Sequence, residues 1–591
     1  MKKKSFIVCS LPLASALLLA SCSNKNTTSS TDTVKISSYS KGKVSSSLDK
    51  VDNSKWKYNA SDKVYYQTGI SYAGNPVSGA EQTLSIFVPA DYMTATDNGN
   101  GTYTAKLNSK KKVGNYKANT APIVIPINTP GYSAMSALTD YSSEVATYTK
   151  EGFIYVSAGL RGRDSGAPAG VTDAKAAIRY IRYNKNQVAG DTDRIFVFGM
   201  SGGGAQSAII GASGDSSLYD DYLKKIGAVK GVSDSVAGVM AWCPITNLDT
   251  GNAAYEWNLG PSRSDLSSEN QKISDALANS YASYINKIGL KDSDGNVLKL
   301  KKSKTGHYQA GSYYQYIKST IEDSLNTFLK NTDFPYDASS TSQSGGMPSG
   351  GSAPSGEAPS GTAPSGEAPS DSTASSSTDN INRTTTSSSA LSLTGTYNTV
   401  SDYIDALNEK SKWVNYNAKT KKATITSVSA FVKYLKSASK DLAAFDALDK
   451  SQGENELFGY GDGNGVHWDS NLGKIVKGTD YEASFKEDLS KKDSLGKSLT
   501  TRINMYTPLY YISDYYKGVN TSKVAEHWRI RTGIFQSDTA LSTEVNLTLA
   551  LKNYGIKNVD FKTVWGQGHT EAETSGQSSS NFIKWVNKRL K

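Results

Sequence analysis

Apolar residues cluster in short continuous runs at 121–127 (Ala-Pro-Ile-Val-Ile-Pro-Ile), 153–158, 194–199 and 236–242, with two late ones at 528–535 and 559–565. The first four read as buried strands, and the two late ones as strand-like. Segments of helical period separate them. Over 173–187 the residues Ala174, Ala177, Ile178 and Ile181 share one face, and near the C-terminus Phe582, Trp585, Val586 and Leu590 do the same. Strand–helix alternation implies right-handed crossovers, hence an α/β fold with a doubly wound, mostly parallel sheet. The alternation lapses from about 246 to 525. That span is expected to be a large inserted lid domain, between a first core part over 56–245 and a second over 526–591.

Two stretches lack the apolar content to build a core. Residues 22–55 are rich in Ser, Thr, Asn and Lys and read as a disordered tether, while about 339–389 repeats Ala-Pro-Ser-Gly-Glu and reads as a Pro/Ser/Gly-rich linker inside the insertion. Ahead of the tether, Lys2–Lys4 precede an apolar run from Phe6 to Ala20, too short to span a bilayer. It ends in Leu19-Ala20-Ser21-Cys22, which resembles the lipobox of bacterial lipoproteins. The resemblance implies a signal peptide over 1–21, a lipidated Cys22, and a protein anchored outside the cytoplasm to the cell membrane. Cys9 leaves with the signal and Cys22 is modified, so Cys243 has no partner for an intramolecular disulfide; its apolar setting, Met240 to Pro244, predicts a buried inert thiol. The formal charge of +10 is spread without a Lys/Arg block, which argues against nucleic acid as a partner.

The chemistry centres on Gly199-Met200-Ser201-Gly202-Gly203, a G-x-S-x-G pattern set between a strand-like run, Arg194 to Phe198, and a helix-compatible segment, Ala205 to Ile210. This is the context of a nucleophile elbow, in which small flanking residues allow the sharp turn that lifts the serine hydroxyl above a sheet. The Gly202 N–H is then poised as an oxyanion donor. A second donor is expected from the loop Asn128-Thr129-Pro130-Gly131, represented here by Thr129. The base must be one of four histidines, His307, His467, His527 or His569. The first two fall in the insertion and His527 opens a strand. His569 follows the last strand just before the terminal helix, and it is the expected base for Ser201.

Six segments carry a wider likeness: Ala158-Gly-Leu-Arg-Gly-Arg163, Lys175-Ala-Ala-Ile-Arg-Tyr180, Cys243-Pro-Ile-Thr-Asn-Leu248, Ala254-Tyr-Glu-Trp257, Glu454-Asn-Glu-Leu-Phe-Gly459 and His527-Trp-Arg-Ile-Arg531. Together they resemble the bacterial tannase family, the tannin acylhydrolases, from about residue 60 onward except in the Pro/Ser stretch. The resemblance implies an α/β-hydrolase with a large lid that cleaves galloyl esters without cofactor or metal. It also implies that Lys440, Glu454 and Asp538 grip the galloyl hydroxyls. One position departs from the family: its catalytic aspartate stands three residues after Gly533, where this chain has Gln536. Asp538, two residues on, is expected to take over as the triad acid, with Asp249 a poorer candidate. The expected partners are a small phenolic ester and, through the lipid only, a membrane; no oligomeric state is specified. Two further readings stay open: a feruloyl or acetyl esterase of the same fold, and a surface lipoprotein that binds phenolic or carbohydrate ligands after losing turnover at Gln536.

Overall fold

The structure, a computed structural model, describes residues 43–338 (apart from 265) and 393–591. Cys22, most of the expected tether and the expected linker at 339–389 lie outside the described residues.

A nine-stranded sheet organises the chain. Its strands are β1 (Lys57–Asn59), β2 (Val64–Ser71), β3 (Thr83–Pro89), β4 (Ile123–Pro126), β5 (Ile154–Ala158), β6 (Ile195–Met200), β7 (Gly238–Trp242), β8 (His527–Gly533) and β9 (Asn558–Val564). They lie in the order β1-β2-β3-β5-β4-β6-β7-β8-β9. From β5 to β9 every neighbouring pair is parallel, while β1, β2 and β3 form an antiparallel edge. The parallel strands are the apolar runs of the sequence: every residue of β4, β5 and β7 is buried. The fold is thus the expected α/β class with a mostly parallel sheet.

Helices α1 (Ala169–Tyr183) and α2 (Gly202–Ala212) follow β5 and β6. Helix α1 is buried through Ile181 although it carries Asp173, Lys175 and Arg179. Those charges are paired: Arg161 forks onto Asp173 at 2.8 Å from both Nε and Nη2, and Asp234 accepts from Lys175 Nζ at 2.8 Å and from Arg179 Nε at 2.9 Å. The arginine- and lysine-bearing segments of the family likeness therefore supply buried ion pairs.

Strands β7 and β8 are adjacent and parallel, so residues 243–526 form a single excursion between them. Within it run α3 (Gly251–Asn258), α4 (Ser268–Ile288), α5 (Ser312–Asn331), α6 (Val428–Leu435) and α7 (Gly453–Leu457); after it come α8 (Leu541–Asn553) and α9 (Ser578–Arg589). The excursion does not stand apart from the sheet. Phe431 packs 5.9 Å from Trp565, and Tyr313 donates to Asn546 at 2.7 Å.

The described end of the expected 22–55 tether, from residue 43 on, lies against the body. Val51 is buried, its N–H donating to Asn184 Oδ1 at 2.8 Å, and Ser45 bridges to Lys230. Leu48 and Val51 pack on the apolar core from within this polar stretch.

Candidate active site

Strand β6 runs straight into the serine. Ser201 sits at φ 58°, ψ −123° between β6 and α2, a conformation strained for any residue with a side chain. It is held there from both sides. Its N–H donates to the Trp242 carbonyl at 3.0 Å, and its carbonyl accepts from Ala205 at 2.9 Å and Ile245 at 3.3 Å. The flanking glycines are required by close approach, because a Cβ on Gly199 would stand 2.4 Å from the Ile127 carbonyl oxygen and one on Gly203 only 1.9 Å.

Gly202 opens α2, so its N–H has no acceptor within the helix. The loop after β4 wraps over it as expected. A Cβ on Gly202 would meet the Thr129 carbonyl and the Tyr132 nitrogen at 2.6 Å and the Gly131 nitrogen at 3.2 Å. Thr129, named as second donor, places its own nitrogen against Gly203 rather than Gly202. Tyr132 N–H is already given to Thr129, which leaves the Gly131 amide as the donor nearest Gly202.

His569 comes from the loop after β9, and its Nε2 lies 2.8 Å from Ser201 Oγ. The other histidines are elsewhere. His467 is buried with Nδ1 2.8 Å from Asp446 and its ring stacked on Phe485; His527 faces Phe196 at the start of β8; His307 is exposed. Nothing in the sequence revealed what steadies the His569 loop. Glu573 pairs with the buried Arg529, accepts from Trp242 Nε1 at 3.0 Å, and gives its backbone carbonyl to Gln567 Nε2 at 3.0 Å. Cys243, buried as expected and with its thiol pushed up to about 11 by burial, donates to the Thr570 carbonyl at 3.2 Å and accepts from Gly533 N–H at 3.4 Å.

On the far side of the imidazole, Gln536 Oε1 stands 2.8 Å from Nδ1. Asp538, expected to replace the missing acid, comes no nearer than 3.8 Å, outside hydrogen-bond distance, with a side chain 44% exposed. It cannot take the nearer place because Gln536 fills it. Asp249 is engaged elsewhere, accepting a hydrogen bond from Tyr516. The three residues named for substrate contact do gather here. Lys440 Nζ is 3.8 Å from Glu454 Oε2, and the proton affinity of His569 responds to both Asp538 and Lys440. Tyr255, within α3, unites these segments: its hydroxyl donates to the Ser537 carbonyl at 2.9 Å and accepts from the Ser439 and Lys440 N–H groups at 3.0 and 3.1 Å. Arg163 does the same at the oxyanion loop, pairing with Glu456 of α7 at 2.6 Å and donating to the Gly131 carbonyl at 3.2 Å.

A hydroxyl on a strained turn, a ring nitrogen within hydrogen-bond distance, and backbone donors at a helix start are what acyl transfer requires. Known proteins of similar sequence and fold accord with an α/β-hydrolase. The BD-FAE family model matches residues 113–288, which include the elbow. Tannin acyl hydrolase from Lactobacillus plantarum superposes with a TM-score of 0.63 at 25% identity, over 89% of this chain and 94% of the other. Fusobacterium nucleatum tannase gives 0.64 at 25% identity, over 93% and 98%. A tannin acyl hydrolase in complex with ethyl gallate gives 0.60 at 25% identity, over 89% and 94%. No curated protein sequence matches significantly. The fold and these likenesses together make the chain a tannase-like α/β-hydrolase.

Proposed function

We propose that this chain is a serine esterase that hydrolyses galloyl or related phenolic esters, with Ser201 as nucleophile and His569 as base. The observation that carries the reading is the 2.8 Å approach of His569 Nε2 to the hydroxyl of a serine on a strained elbow. Ser201 Oγ attacks the ester carbonyl while its proton passes to Nε2. The oxyanion is met by the N–H of Gly202 and by the 129–131 loop. Collapse expels the alcohol, which takes the proton from His569, and a water activated by the same nitrogen then frees the acid. A polyphenol offers hydroxyls that need both donors and acceptors once buried. Lys440, Glu454 and Asp538 provide one donor group and two acceptor groups near His569, which supports a gallate-like acyl group. The lipobox-like segment ending at Cys22 supports a cell-surface location on a lipid anchor.

Turnover of methyl gallate, methyl ferulate and p-nitrophenyl acetate by the purified protein tests the reading. Hydrolysis with a preference for methyl gallate is expected. Preference for the ferulate or acetate would move the acyl group, and no hydrolysis at all would favour the ligand-binding lipoprotein.

A further inference from the structure

A catalytic histidine ordinarily leans on a carboxylate, and here Nδ1 meets an amide instead. That amide is itself held. Gln536 Nε2 donates to Thr532 Oγ1 at 2.8 Å and to Glu544 Oε1 at 2.9 Å, while Oε1 faces His569 Nδ1 at 2.8 Å. Thr532 lies on β8 and Glu544 in the first turn of α8, both buried. Resting on the Ser201–His569 reading above, we propose that Glu544 is the positioning carboxyl group of this site, acting on His569 through the side-chain amide of Gln536.

The reason is the asymmetry of an amide. With both its hydrogens given to Thr532 and Glu544, Gln536 has only an acceptor left for His569. Turning it by half a circle would set oxygen against the Glu544 oxygen and –NH₂ against Nδ1, trading the hydrogen bond to Glu544 for a repulsion. An acceptor at Nδ1 keeps the proton there and leaves Nε2 free to receive the proton of Ser201. Thr532 alone cannot impose this, since a hydroxyl accepts or donates as needed. Glu544 Oε1 can only accept: Oε2 has no hydrogen-bond partner among the described residues, and any proton on the acid would reside there. Burial pushes the Glu544 carboxyl up to about 8 against the pull of Lys436, itself buried and pushed down to about 8. A carboxyl this costly to bury, with one oxygen unbonded, is explained by its partner better than by packing.

The test is a double-mutant cycle on the full-length protein. Glu544→Leu should lower kcat about 10- to 100-fold on p-nitrophenyl acetate and methyl gallate alike, with KM within about twofold, because the amide is then free to present either end. In a Gln536→Asp background, where a carboxylate faces His569 directly, the same substitution should cost less than about threefold. Equal losses in the two backgrounds, or no loss in the first, overturn the proposal. Should Glu544→Leu not fold, ¹⁵N spectra of histidine-labelled wild type decide: above its titration His569 must carry its proton on Nδ1, and the reverse tautomer refutes the proposal. Ser201→Ala, measured alongside, judges the parent reading separately. Ester turnover that survives it defeats that reading, while the tautomer still reports on the amide.

Discussion

Burial lowers the proton affinity of His569 below the ordinary imidazole value, Lys440 lowers it further, and Asp538 opposes both. The base works only when neutral, so the rate should fall as pH drops through a pKa beneath the usual ~6.5. Removing the Lys440 charge by Lys440→Ala should raise that pKa and shift the acidic limb of kcat/KM to higher pH. Asp538→Asn should shift it to lower pH. A pH profile on p-nitrophenyl acetate checks both signs, and a shift in the opposite direction for either variant would contradict the placement of these charges. Because Gln536 occupies Nδ1, Asp538 is expected to serve the acyl group more than the ring. Asp538→Asn should therefore cut kcat/KM on methyl gallate by about 10- to 100-fold, the worth of a charged hydrogen bond, and spare the acetate within a few fold. The sequence showed that the charge was missing at Gln536. It did not show Glu544, eight residues further on, because only the turn from β8 into α8 brings the two together.

Among the elements, the elbow and the buried ion pairs of α1 hold the fold around the site. Gly203→Ala would press a methyl against the Ile127 carbonyl, a backbone atom that cannot swing aside. It should cost at least about 1–3 kcal/mol by denaturant midpoint along with most of the activity. Asp234→Ala leaves Lys175 and Arg179 buried without their shared acceptor and should cost roughly 3–5 kcal/mol. The central strands were legible because burial on both faces makes continuous apolar runs. The edge strands were not: β2, Val-Tyr-Tyr-Gln-Thr-Gly-Ile-Ser, mixes exposed polar and buried positions and carries a register shift between Gln67 and Ile70. Helix α1 was expected over 173–187 but runs Ala169–Tyr183. It ends where the Asn184 amide turns back to the Tyr180 carbonyl, a stop set by one side chain rather than by apolar period.

For the whole molecule, the excursion between β7 and β8 brings Lys440 and Glu454 to the site whose serine and histidine follow strands of the sheet. Its existence was legible as a lapse in alternation. Its close packing was not, since contacts such as Tyr313 to Asn546 join residues more than two hundred positions apart. If the chain is anchored through Cys22, Cys22→Ser should release it from the membrane fraction or leave it unprocessed, and a variant still lipidated and membrane-bound would end that reading. The central claim, that Ser201 is a nucleophile activated by His569, is tested most directly by a fluorophosphonate probe followed by peptide mass spectrometry. A phosphonyl adduct is expected on Ser201 alone, formed as esterase activity is lost and absent in His569→Ala. A folded protein that leaves Ser201 unlabelled would contradict it.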